Sequence, residues 1–150
     1  MLIDPRGPRF AAAVTTAVLV VVLLTGSGWL ALAQAAVFAL TAAAPRYGPY
    51  GLVFRALVRP RLSPARELER VEPVRFAQLV GLGFATAAGL GYLAGVPALG
   101  LAGAGFALAA AFLNAAFGLC LGCEVYLALR RATNRPLVSR VPVPQRTASA

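Results

Sequence analysis

The sequence contains no histidine and no lysine, only two cysteines, and only five acidic residues among 150. The missing histidine excludes a Ser-His-Asp triad and every metal site that is built from imidazole ligands. The acidic residues all lie outside the apolar runs, so the chain lacks the midplane carboxylate that a proton-coupled pump would use. No phosphate-binding loop and no pair of catalytic carboxylates is recognisable. We therefore expect no cofactor and no single-chain metal site.

Apolar sequence dominates instead, with 59% hydrophobic and 13% charged residues and a mean hydropathy of +0.76. This composition provides too few polar side chains to cover a soluble globule of this size. Because lipid admits only helices or closed barrels, the four apolar runs predict transmembrane helices over about 9–25, 28–44, 76–94 and 98–119. The predicted fold is all-α, a polytopic four-helix membrane domain over residues 1–131, and no sheet is expected.

A hydrophilic loop, residues 45–75, separates the second and third predicted spans. Within it, residues 52–59 place Arg55 and Arg59 on one helical stripe and apolar side chains on the rest. This pattern predicts an interfacial helix that lies on the membrane surface, with a plain basic loop as the alternative.

Two further segments carry weaker signals. Ser63 followed by Pro64 is a typical helix start and predicts a short helix over residues 65–72. The proline-containing tail, residues 132–150, has no apolar period. We therefore expect the tail to be disordered.

The distribution of arginine predicts how the bundle is oriented. Seven of the 14 arginines lie in the loop 45–75 and five follow residue 124, whereas the connectors 25–28 and 95–98 carry no charge. By the positive-inside rule, both termini and the long loop are cytoplasmic, in a multi-pass protein of the inner (cytoplasmic) cell membrane. Topology and anionic headgroups also account for the net charge of +9. The expected partner is therefore the lipid bilayer and not nucleic acid.

The only two cysteines, Cys120 and Cys123, stand at the end of the last apolar run with Glu124 beside them. A Cys-x-x-Cys pair is typical of dithiol, metal or sulfur-handling sites. With no breaker between residues 99 and 129, the pair is predicted to lie in the C-terminal half of one helix, with its Cα atoms in the disulfide range. The negative helix end and Glu124 should then raise the thiol pKa values. Such a pair is a poor unaided nucleophile, and a better candidate for being reduced or loaded by a soluble partner.

Other residues are predicted to surround this pair. The spacing of Gly118 and Gly122 lets another helix backbone approach the cysteines closely. Asp4, Arg6 and Arg9 share the cytoplasmic side with the pair and are predicted to close over it. Together with Glu124, these five residues are the candidate supporting and packing residues of the site.

Two alternatives to thiol chemistry remain open. Cys120, Cys123 and Glu124 fall short of a closed four-ligand zinc site, although a homo-oligomer could supply two cysteines from each of two subunits. The thiols can also serve only as small apolar groups that fill space between helices. Either alternative would remove catalytic roles from the two cysteines.

Three segments carry a resemblance to a known family: IDPRGPRF (3–10), RFAQ (75–78) and FGLCLGCEVY (117–126). Over about residues 3–131 the chain resembles a family of small actinobacterial membrane proteins classed as a domain of unknown function. The resemblance implies four membrane spans. Because members are often encoded beside thioredoxin-like or sulfurtransferase proteins, it also implies a soluble partner of that kind.

The leading hypothesis is thus a membrane protein whose Cys120 and Cys123 exchange electrons or sulfane sulfur with a cytoplasmic thioredoxin-like or sulfurtransferase protein. One cysteine would exchange and the other would resolve. A structural or assembly subunit with packing cysteines is the first alternative, and a small permease for a sulfur compound is the second. The sequence does not decide whether the protein is an enzyme.

Overall fold

The computed structural model describes residues 1–65, 67–135, 137–138 and 140–143. This part of the chain is mainly helical, and short 3₁₀ turns and one π-helical turn surround α3. The helices are α1 Arg6–Thr25, α2 Gly28–Ala43, α3 Pro49–Val53, α4 Val71–Leu93, α5 Pro97–Phe117 and α6 Leu121–Ala132.

Three of these helices, α1, α4 and α5, are long and apolar enough to cross a membrane, whereas α2 is apolar but has only 16 residues. Large apolar side chains point outward from them, and Trp29 and Phe106 are 73% and 64% exposed. Outward apolar surface of this extent suits a lipid environment. The prediction of a mainly helical membrane protein is therefore confirmed.

Small residues bring the long helices together. A Cβ on Gly89 of α4 would lie 2.6 Å from Leu32 of α2, and a Cβ on Gly103 of α5 would lie 2.7 Å from the carbonyl oxygen of Phe84 in α4. Helix α5 also packs on α1, so the four helices form a bundle in the order α2, α4, α5, α1. Close backbone approach of this kind is how helices associate in lipid, where no hydrophobic effect drives them together.

A small sheet caps one end of the bundle, contrary to the all-helical expectation. Strands β1 Leu2–Ile3, β2 Glu67–Arg70 and β3 Arg140–Pro142 are antiparallel in the order β1-β2-β3. Leu2 pairs with Arg70, and Glu69 pairs with Arg140. Segments far apart in sequence form these strands, so no local sequence pattern predicts them.

The sheet corrects two predictions. The short helix expected over residues 65–72 is wrong, because residues 67–70 form β2 and α4 begins only at Val71; Arg66 lies outside the described residues. The tail 132–150 was expected to be disordered throughout, yet residues 140–142 form β3. Residues 144–150 of that expectation lie outside the described part of the chain.

The segment predicted as an interfacial helix is helical. Helix α3 continues as a π-helical turn, Phe54–Val58, and ends in a 3₁₀ turn, Arg59–Arg61. Phe54 is buried against Phe10 of α1, with 5.8 Å between the ring centroids. This contact holds the segment against the start of α1, at the same end of the bundle as the sheet.

Candidate functional site

The helix that was expected to carry the cysteines ends before them. Helix α5 stops at Phe117, and Gly118 adopts the left-handed conformation with a φ of 69°. Its N–H donates to Asn114 O at 3.0 Å and the N–H of Leu119 donates to Leu113 O at 3.3 Å, which is a typical helix ending. A glycine after an apolar helix signals such an ending, but glycines inside transmembrane helices mask the signal.

Cys120 is the residue that precedes α6, and Cys123 lies in the first turn of that helix. The Cα atoms are 5.2 Å apart and the two sulfur atoms are within disulfide distance, as the spacing predicted. Cys123 is buried, whereas Cys120 remains partly exposed. The pair therefore combines one accessible sulfur with one that the fold protects.

This position corrects the predicted electrostatics of the pair. At a helix N-terminus the unpaired N–H groups and the helix dipole favour a negative charge, so they favour a thiolate on Cys120. The sequence interpretation assumed the C-terminal half of a helix, where the dipole acts in the opposite direction. Glu124 also lies in this first turn, with an exposed side chain.

The two glycines beside the cysteines have different neighbours. A Cβ on Gly122 would lie 2.6 Å from both Cα and Cβ of Ala77, so the start of α6 lies directly on α4. A Cβ on Gly118 would lie 3.5 Å from the guanidinium carbon of Arg9. Gly122 therefore allows the predicted close approach of another helix, which is α4. Gly118 instead allows the left-handed turn between α5 and Cys120.

The predicted residues of the N-terminal segment lie at the same end of the bundle as the cysteines. Arg9 approaches the turn that precedes Cys120, as described above. Asp4 and Arg6 pair with each other at 3.0 Å, and Arg6 also donates to Ser63 O at 2.8 Å. Burial alone would raise the pKa of Asp4, but the hydrogen bonds and charge of Arg6 outweigh it and hold the pKa below its usual value.

A small cavity of about 250 Å³ lies at the cysteine pair. Its charged lining residues are Glu124, Glu69 of β2 and Arg140 of β3. Burial raises the pKa of Glu69, and the charge of Arg140 opposes that shift only in part. The sequence analysis missed Glu69 and Arg140 because it expected neither strand, and no local signal links them to the cysteines.

A second cavity, of about 1070 Å³, extends from the cysteine pair into the bundle. Both sulfur-bearing residues line it, together with buried polar groups between the helices. Tyr50 donates a hydrogen bond to Gln34 Oε1 at 2.7 Å, and Gln34 Nε2 donates to Thr15 at 3.4 Å. This volume is at the upper end of that found for small-molecule sites.

The described residues contain no group of three or more cysteine or acidic side chains that could hold a metal ion. The arrangement is instead that of a sulfur pair at a helix start, beside the guanidinium group of Arg9, the partly buried carboxyl group of Glu69 and a large cavity. Two sulfur atoms at this distance can form and break one disulfide bond.

Comparison with known proteins identifies a family but no individual relative. No curated protein and no solved structure matches the chain. A family model does match, over residues 3–131, and that stretch contains both cysteines together with the helical bundle, whereas Arg140 of the small cavity lies outside it. The chain therefore belongs to the family described as a domain of unknown function, DUF4395.

Proposed function

We propose that this protein is a membrane-embedded thiol exchange protein, in which Cys120 and Cys123 pass electrons or sulfane sulfur to or from a soluble cytoplasmic partner. The observation that carries the proposal is the position of Cys120 at the start of α6, with Cys123 at disulfide distance behind it. This position favours the thiolate that exchange requires. A thioredoxin-like or sulfurtransferase protein has the complementary chemistry.

The solvent exposure of the two cysteines indicates the order of the exchange steps. A thiolate of the partner attacks Sγ of Cys120, the partly exposed one, forming a mixed disulfide and releasing Cys123 as a thiolate that takes up a proton. A second partner thiolate then attacks the partner sulfur of the mixed disulfide and releases Cys120. The partner is oxidised to a disulfide and the pair is reduced to two thiols.

The sheet supports four membrane crossings with both chain ends on one side. Because β1 pairs with β2, residues 2–3 and 67–70 lie at one end of the bundle, so an even number of crossings must separate them. Helix α2 is short, but counting it as a span satisfies this condition. The arginine-rich loop and the positive-inside rule support a cytoplasmic position for that end.

The proposal is tested by counting free thiols in intact cells with a maleimide gel shift, before and after treatment with oxidant or reductant. We expect a reversible change of two thiols in the wild type. Cys123→Ser, which keeps the partly exposed Cys120, should trap a mixed disulfide with a partner protein, whereas Cys120→Ser and the double variant should trap none. Two thiols that never change state, with no trapped partner, would contradict the proposal.

An assembly role is a second candidate, and it rests on unoccupied space beside two glycines. A Cβ on Gly83 of α4 or on Gly105 of α5 would meet nothing within 4 Å. Those faces could receive a helix of another protein or of a second copy. On this view Gly83→Leu disrupts a membrane complex, whereas replacing both cysteines with alanine changes only stability.

A further inference from the structure

Arginine dominates the charge of the large cavity. Six arginines and two carboxylates line it, so the side chains leave a net charge of four positive units. One arginine, Arg6, is paired with Asp4, and another, Arg140, lies opposite Glu69. The Arg6–Asp4 contact is the only ion pair among the described residues. The other four arginines of the cavity therefore have no carboxylate in contact. These are Arg9, Arg46, Arg55 and Arg59.

The positive charge reaches the sulfur atoms through Arg9. Its guanidinium group lies against Gly118, two residues before Cys120, and both Cys120 and Cys123 line the same cavity. A cleft with charge of one sign and low-dielectric walls concentrates counter-ions far more effectively than an open surface does. The large cavity as a whole therefore favours anions, and Arg9 brings this preference to the turn before Cys120.

Membrane topology alone does not explain why arginines line this cavity. The positive-inside rule requires arginine on the cytoplasmic side, but it does not require arginine to line a cavity that ends at a cysteine pair. A docked soluble protein would not need the cavity at all, because Cys120 is already partly exposed. The volume and the charge together suit a small ligand.

We propose that the cavity admits a small anion that carries a nucleophilic sulfur atom, and that this anion attacks the Cys120–Cys123 disulfide. The class comprises sulfite, thiosulfate and thiols that bear a carboxylate or sulfonate group. This inference rests on the proposed function, because it needs an exchangeable sulfur pair, and it names a substrate class for that pair.

The step balances without a further reagent. The anionic sulfur attacks Sγ of Cys120 and forms a new sulfur–sulfur bond, while the bond between the two cysteines breaks. The electron pair of that bond leaves with Cys123 as a thiolate, which takes a proton from solvent. The ligand remains on Cys120 until a second thiol removes it.

The test uses the oxidised full-length protein in detergent and three small thiols that differ in charge. These are the anionic 2-mercaptoethanesulfonate, the neutral 2-mercaptoethanol and the cationic cysteamine, whose attacking thiolates carry net charges of about −2, −1 and 0; each is adjusted to the same thiolate concentration. Mass spectrometry follows opening of the disulfide. We expect the anionic thiol to react about tenfold faster than the cationic one at low ionic strength, and we expect salt to reduce the ratio.

Arg9→Gln should lower the rate with 2-mercaptoethanesulfonate several-fold, lower the rate with 2-mercaptoethanol less, and affect the zwitterionic thiolate of cysteamine least. Arg131→Gln is the matched control, because Arg131 is exposed on the last turn of α6 and lines neither cavity. If Arg9→Gln does not fold, Arg59→Gln at the cavity and the salt dependence of the wild type give the same information.

Equal rates with all three thiols, unaffected by salt, would overturn this inference and leave the proposed function intact. A disulfide that none of the three thiols opens would overturn both. Sulfite provides an independent check, since it should add one sulfite group to Cys120 and release one thiol on Cys123.

Discussion

Glu69 places an ionisable group beside the sulfur pair without belonging to the sequence motif. It shares the small cavity with Cys120 and Cys123, and burial raises the pKa of its carboxyl group. Arg140, its partner across the strands, lowers that pKa only in part. The charge on Glu69 therefore appears at a higher pH than for an exposed glutamate, and closer to the range in which thiols titrate.

Glu69→Gln should lower the pKa of the reduced pair, because it removes a negative charge that opposes the thiolate. The measurement is the rate of alkylation of the reduced protein by iodoacetamide as a function of pH. We expect the variant to react faster than the wild type around neutral pH. The other charged groups that face the pair, Arg140, Glu124 and Arg9, remain in place.

Glu67→Gln provides the control, since Glu67 is exposed at the start of the same strand and lines neither cavity. Its profile should match that of the wild type. Superimposable profiles for all three proteins would show that Glu69 does not act on the sulfur pair.

Helix α6 is the element that fixes where the sulfur pair lies. It packs mainly on α4, where the ring of Tyr126 lies 5.6 Å from that of Phe76, and its buried residues are Cys123 and Leu127. Gly122 brings the first turn of α6 onto the backbone of α4. Displacing that turn would move Cys123 relative to Cys120 and to the cavity.

Gly122→Ala should destabilise the protein by about 1–3 kcal/mol, because the added methyl group would overlap Ala77 and force α6 away from α4. Thermal unfolding in detergent, followed by circular dichroism, measures the effect. Gly105→Ala is the matched control within α5, where the added methyl meets nothing within 4 Å.

This control should stabilise the protein by about 0.5–1 kcal/mol through the helix propensity of alanine. Opposite signs for the two variants are therefore expected. A decrease of the same size in both would show that Gly122 does not hold α6 against α4.

At the scale of the whole molecule, the sheet joins the N-terminal strand, the middle loop and the C-terminal strand at one end of the bundle. The turns around residues 26–27 and 94–96 lie together at the other end, where Gly26 is near Tyr92. The cavities, the sulfur pair and most of the arginines are all at the sheet end. The same end of the bundle therefore carries both the candidate site and most of the positive charge.

This arrangement predicts opposite labelling of two single-cysteine reporters in a Cys120→Ser/Cys123→Ser background. Thr25→Cys, at the exposed end of α1, should react with a membrane-impermeant maleimide in intact cells. Ser63→Cys, in the exposed middle loop, should react only after the cells are permeabilised. Labelling of both from the same side would contradict four crossings.

The sequence by itself determined the helical membrane character and the family, because apolar runs and the segment around Cys120 and Cys123 are local patterns. The positive end of the bundle was likewise visible in the spacing of arginines along the chain.

Only the tertiary structure decided the position and the surroundings of the two cysteines. The break at Gly118 moved Cys120 from the inside of a helix to the start of one, which reverses the effect of the helix dipole on its thiol. Glu69 and Arg140 meet the cysteines only because three remote strands pair. Such pairing depends on contacts between residues far apart in sequence, and these become visible only when the whole chain has folded.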